Sequence, residues 1–241
     1  MRVVEQGGGQ VVRANEGWRL VRPAARNDVY ANAQLGDPIG HAGWRPPVTL
    51  TVRARFSHPV EQLRGTAGFG FWNEAFAPGT WLPRPPRAVW FFAAGPPHNV
   101  PLALGVPGRG FKATTLDAGR PAFFALLPAA PVGFVLMRFP PLYRRLWPIA
   151  QRVIGAQEVL LTRLDLTAEH AYAVRWELDQ ATFMVDGEIV LRASSPPRGP
   201  LRLVAWIDNS FAIATPQGRF RLGLVDAPEA QWLELTEMHV D

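Results

Sequence analysis

Apolar and polar residues alternate along much of this chain. Across residues 48–56, Val48, Leu50, Val52, Ala54 and Phe56 share one side, and Thr49, Thr51, Arg53 and Arg55 share the other. A period of two predicts a half-buried antiparallel strand. Residues 28–35 alternate as well, with Tyr30, Asn32 and Gln34 on one face. Further strands are predicted over 68–72, 88–94 and 112–116, divided by loops rich in Pro and Gly.

The C-terminal third continues the pattern at 171–176, 181–185, 188–192, 201–207 and 232–240. A hairpin is predicted over 211–222, around Pro216, Gln217 and Gly218. Asp186-Gly187 is a pair favoured in two-residue type I′ hairpin turns. Many strands and little helix predict an all-β protein, a two-sheet antiparallel sandwich formed as a single domain over 18–241. Residues 1–17, with Gly7, Gly8 and Gly9, read as an N-terminal tail or a tight turn.

The segment 120–168 breaks the pattern. Seventeen uncharged residues separate Arg120 from Arg138 and include Pro121, Pro128 and Pro131. A membrane-spanning helix needs about 20 apolar residues, so no span is expected, and the prolines suggest an irregular wrapping loop. After it Leu142, Leu146, Ile149 and Val153 recur at helical spacing, with Pro148 expected to kink that helix or to start its second half. The expectation is an apolar, partly helical insertion around 120–161. It holds six arginines and two acids over 120–168, so nearly all of the chain's net charge of +5 sits there.

Composition narrows the chemistry. With 24 Pro and 22 Gly in 241 residues, a mostly helical fold is disfavoured. The absence of Cys removes disulfides, thiolate metal sites and a cysteine nucleophile. Lys112 is the single lysine among 25 basic residues, yet no block of like charges marks a nucleic-acid partner. The five histidines are not at zinc-ligand spacing, whereas a structural calcium held by carbonyls would leave no sequence trace. The serines lack a G-x-S-x-G context. No signal peptide is read near Met1, which makes the cytoplasm the default location.

The segment H-x-Y-x-x-x-W from His170 to Trp176, followed by a strand ending Val185-Asp186-Gly187, resembles a block of the family 16 glycoside hydrolases. Residues 201–209 resemble that family's next strand, and 48–56 and 68–72 its two strands before the catalytic one. The resemblance is moderate over 169–240, weaker over 20–119 and absent over 120–168. It implies a concanavalin A-like jelly roll with its ligand on a concave sheet. That family carries E-x-D-x-(x)-E on the catalytic strand, a carboxylate pair about 5 Å apart serving as nucleophile and acid/base. Here the corresponding strand is Arg87 to Ala94, and it contains no carboxylate.

By this resemblance the groove would include Tyr30, Asn32, Gln34, Trp72, Asn73, Trp90 or Phe91, and Trp206 or Asp208. Aromatic rings and amides are what a sugar-binding surface needs. The same aromatics would equally serve as inter-sheet core. Asp208 and Glu74, each beside an Asn after an apolar strand, are candidate acids, although turn chemistry explains such pairs as well. Three functions follow as expectations. The first is a non-hydrolytic groove for a carbohydrate or apolar small molecule. The second is a lyase, isomerase or cyclase using Asp208 or Glu74. The third is docking to a membrane surface or to another copy of the chain through 121–154.

Overall fold

The computed structural model of the chain describes residues 1–14, 16–75 and 84–241. In chain order the strands are β1 (Arg2–Gln6), β2 (Gln10–Ala14), β3 (Gly17–Arg22), β4 (Asn32–Gly36), β5 (Val48–Phe56), β6 (Thr66–Trp72), β7 (Arg87–Ala94) and β8 (Gly110–Asp117). After three helices come β9 (Gln157–Leu160), β10 (His170–Trp176), β11 (Gln180–Val185), β12 (Glu188–Ser194), β13 (Arg202–Asp208), β14 (Ser210–Ala214), β15 (Phe220–Leu224) and β16 (Gln231–Val240).

The first sheet has the order β1-β4-β13-β6-β7-β8-β9, and the second β12-β11-β10-β5-β16-β3-β2. β14 and β15 form a separate two-stranded sheet, and β14 also bridges to Asn99. Strands distant in sequence lie side by side: β13 inserts between β4 and β6, and β16 between β5 and β3. This is the two-sheet antiparallel sandwich that the alternation predicts, in the jelly-roll form that the resemblance implies. Val48–Phe56 matches its expected strand end to end. The Asp186-Gly187 turn has positive φ at both residues, as type I′ requires.

The two sheets close over an aromatic core. Phe91 is fully buried and meets Phe69, Tyr172, Phe183 and Phe111 with ring centroids 5.0–6.0 Å apart, mostly tilted or edge-on. Such geometries set ring edges against ring faces, the favoured electrostatic arrangement. Trp176 is fully buried beside Phe71, and its indole N–H donates to the Pro197 carbonyl at 2.8 Å.

The segment expected as a tail contributes an edge strand to each sheet: β1 pairs with β4, and β2 with β3. Gly7 and Gly8 take positive φ. Side chains at Gly7 and Gly9 would collide with the Tyr30 and Asn32 carbonyls. The glycines therefore let the chain turn from one sheet to the other against the start of β4.

The insertion is more regular than its prolines suggest. It forms α1 (Pro121–Leu126), a 3₁₀ turn (Leu127–Ala129), α2 (Ala130–Leu136) and α3 (Pro140–Val153), and then returns as β9 beside β8. The expected wrapping loop is thus corrected to short helices, because Pro121, Pro128 and Pro131 stand in first turns. There a missing N–H costs nothing and the fixed φ favours a helix. Pro148 lies within α3. No residue of these helices is buried.

Candidate functional site on the first sheet

The outer faces of the two sheets differ in chemistry. On the second, Glu234 of β16 accepts from Arg19 and Arg55, each at 2.8 Å, and both guanidiniums lie over Trp232. These charges are thus paired with one another across the strands. On the first, the register aligns Gln34, Trp206, Gly68, Phe92 and Lys112 across five strands. The neighbouring row holds Gly36, Val204, Gly70, Trp90 and Thr114.

This face gathers an aromatic cluster. Trp72 and Trp90 are stacked at 4.8 Å, Trp90 and Phe92 at 5.5 Å, and Trp206 leans on Trp90 at 5.1 Å. The glycines of β6 make room. A side chain at Gly68 would come within 2.8 Å of the Trp206 ring, and one at Gly70, whose φ is +146°, would strike the Trp90 backbone. The Gly-Phe-Gly-Phe repeat of β6 thus sends Phe69 and Phe71 into the core and leaves the outer side open for two indoles.

The structure brings Asn32, Gln34, Trp72, Trp90, Trp206 and Asp208 onto this one face. Trp90 faces outward, whereas Phe91, the alternative at that position, is core. Trp206 is largely buried, and its indole N–H donates to the Thr66 hydroxyl at 3.0 Å. Trp72, Trp90 and Gln34 are half-buried. The Asn32 carbonyl oxygen is buried without a hydrogen-bond partner among the described residues. Tyr30 precedes β4 and is not part of it. Its hydroxyl lies 3.4 Å from Asp208, and burial holds that hydroxyl protonated well above the ordinary tyrosine range. Asn73 closes the loop after β6, donating to the Pro85 carbonyl and accepting from the Arg87 N–H.

The carboxylates here already have partners. Asp208 Oδ1 accepts from the backbone and hydroxyl of Thr66 and of Ser210 at 2.9–3.3 Å. Burial raises its pKa and these donors lower it, with burial dominant. Asn209 points elsewhere and staples the loops at Ala31, Val29 and Val225. Glu74 lies 3.7 Å from Arg2 and 3.6 Å from Arg202.

A second cluster, at the β8–β9 end, leaves almost no mark in the alternation. Lys112 forms a 3.1 Å ion pair with Glu158, both side chains almost wholly buried. The Ala103 N–H also donates to Glu158, and the Trp147 indole of α3 donates to the Leu102 carbonyl. The segment before β8 therefore roofs this end of the face. His98 lies on Phe92 at 5.4 Å. Burial, helped by Lys112, lowers its pKa to about 4. The one sequence signal for this cluster is the lone lysine itself. Among the described residues, no group of three or more His, Cys, Asp or Glu could hold a metal ion.

No family model matches the chain, and no curated protein matches it. Solved structures do resemble its fold. A structure from work on endo-acting O-glycanases of the human gut microbiota that initiate mucin breakdown aligns at TM-score 0.51 and 16% identity, covering 95% of this chain and 81% of that one. The legume lectin-like domain from Entamoeba histolytica aligns at TM-score 0.51 and 8% identity, covering 97% and 87%. The Emp47p carbohydrate recognition domain aligns at 0.50 and 13%, covering 99% and 86%. At such identities the likeness establishes the fold, a concanavalin A-like sandwich.

Proposed function

We propose that the protein binds a carbohydrate at the open end of the aromatic face of the first sheet, without glycosidase chemistry. The observation that carries this proposal is Trp90. It is half-buried at the centre of the face, and its indole N–H makes no hydrogen bond among the described residues. Gln34 is half-exposed on the same face, while the Asn32 side-chain oxygen is buried, with no hydrogen-bond partner among the described residues. The rim of this ring stack beside the unused Trp90 indole N–H and the Gln34 amide suits a saccharide, whose C–H patches pack against apolar ring edges while its hydroxyls take and give hydrogen bonds. The structural neighbours support the same ligand class, since they include a lectin-like domain, a carbohydrate recognition domain and a protein from work on glycanases.

Strand β7 speaks against hydrolysis. Its outward residues are Ala88, Trp90, Phe92 and Ala94, where a retaining enzyme of the resembled family would need a carboxylate pair. An enzyme of another kind using Asp208 or Glu74 would have to release Asp208 from five donors or Glu74 from two arginines. A panel of immobilised saccharides probed with the full chain, with product analysis on β-1,3 and β-1,4 glucans, tests the proposal. Retention of at least one saccharide with no products is the expected result. Glucan cleavage lost in Asp208→Asn or Glu74→Gln would replace carbohydrate binding with an enzymatic function.

A further inference from the structure

Beyond the aromatic face, we propose that the helical insertion and the β14–β15 hairpin form one surface that docks on an anionic lipid surface. The two segments are far apart in sequence but adjacent in space. Phe134 of α2 lies on Phe220 of β15 at 4.9 Å, and a side chain at Gly218 in the hairpin turn would come within 3.0 Å of the Arg138 guanidinium. Both leave large apolar side chains in water: Phe124 is 52% exposed, Phe139 60%, Phe220 66% and Leu222 83%. Soluble surfaces rarely gather this many together without a partner.

Charge identifies the partner. Neither 118–157 nor 210–225 contains an Asp or Glu. Arg138, Arg144, Arg145, Arg152, Arg219 and Arg221 lie in these two segments, and none forms an ion pair among the described residues. On α3, Arg144, Arg145 and Arg152 are exposed together with Ile149, while Leu142, Leu146 and Trp147 are half-buried and Trp147 donates to the Leu102 carbonyl. Apolar groups rimmed by arginine match the acyl boundary and phosphates of a negatively charged leaflet. A second copy fits poorly, since apposing this surface with itself brings arginine against arginine. No described helix is long and apolar enough to cross a membrane, so contact would be in the plane of the surface.

Flotation of the full chain with phosphatidylcholine vesicles, with and without phosphatidylserine, tests this at low salt. Binding should require phosphatidylserine and fall as salt is raised. The triple variant Arg144→Gln/Arg145→Gln/Arg152→Gln should weaken it more than tenfold, at about fivefold for each arginine near the surface. Phe220→Ser/Leu222→Ser should weaken it through the apolar half, with unfolding temperatures confirming that both variants fold. The proposal fails if the wild type does not float with phosphatidylserine vesicles. It fails equally if neutral vesicles bind as well and the triple variant is unchanged. Sedimentation velocity showing a dimer that Phe220→Ser/Leu222→Ser converts to monomer would assign the surface to a second copy.

Discussion

Trp72 and Trp90 stack at 4.8 Å with their ring planes 13° apart, one on β6 and the other on β7. Trp90 continues the stack to Phe92, at 5.5 Å and 23°. The register places Trp90 between the two along the strand direction, so its ring faces are largely covered by its neighbours. A ligand meets the rim of this stack and the indole N–H.

The stack depends on the glycines beneath it. Gly68→Val should lower stability by about 1–3 kcal/mol, the usual cost of overpacking, because its side chain meets the Phe91 carbonyl and the Trp206 ring. Urea denaturation checks the value. A Gly68→Val protein as stable as wild type would mean that neither β7 nor Trp206 crowds this position.

The Lys112–Glu158 pair supports the roofed end. Lys112→Met leaves a buried carboxylate without its partner and should cost about 3–5 kcal/mol. Lys112→Met/Glu158→Leu should recover most of that loss, since the desolvated charge is then gone. A single variant within about 0.5 kcal/mol of wild type, the scatter for surface changes, would show the pair to be solvated.

His98 gives a pH signature. Its Nδ1 accepts from the Ala212 N–H at 3.3 Å, which requires that nitrogen to be unprotonated. With a folded pKa of about 4 against an ordinary value of 6.5, the unfolded chain binds the extra proton first. This residue's contribution is therefore full above about pH 6.5, falls as pH drops toward 4, and is flat below. Its size is up to about 3 kcal/mol. The raised pKa of Asp208 acts in the opposite sense, so the comparison is between wild type and His98→Asn. Unfolding free energy measured from pH 7 down to 4 should fall more steeply in the wild type, and parallel curves would contradict the assignment.

Much of the fold was legible because alternation alone decides which face of a strand is buried. Val48–Phe56 and the Asp186-Gly187 hairpin are cases where the local pattern suffices. The N-terminal strands were not legible, because β1 and β2 are short edge strands without an apolar run, and β1 pairs with a strand some thirty positions away. The same holds for Thr66, whose role comes from Trp206 and Asp208, 140 and 142 positions away. Asn32 and Gln34 were readable as one face. Tyr30 follows the same period of two, yet β4 begins after it, so extrapolating the alternation overshoots the strand.

The direct test of carbohydrate binding is calorimetric titration of the best retained saccharide into wild type, Trp90→Ala, Gln34→Ala and Trp232→Ala. Trp232 belongs to the outer face of the second sheet and serves as the control. Trp90→Ala and Gln34→Ala should each lose at least about 1 kcal/mol of binding, the scale of one aromatic contact or hydrogen bond, while Trp232→Ala binds as wild type and all variants remain folded. Unchanged affinity in folded Trp90→Ala and Gln34→Ala would place the ligand elsewhere and contradict a saccharide site on this face.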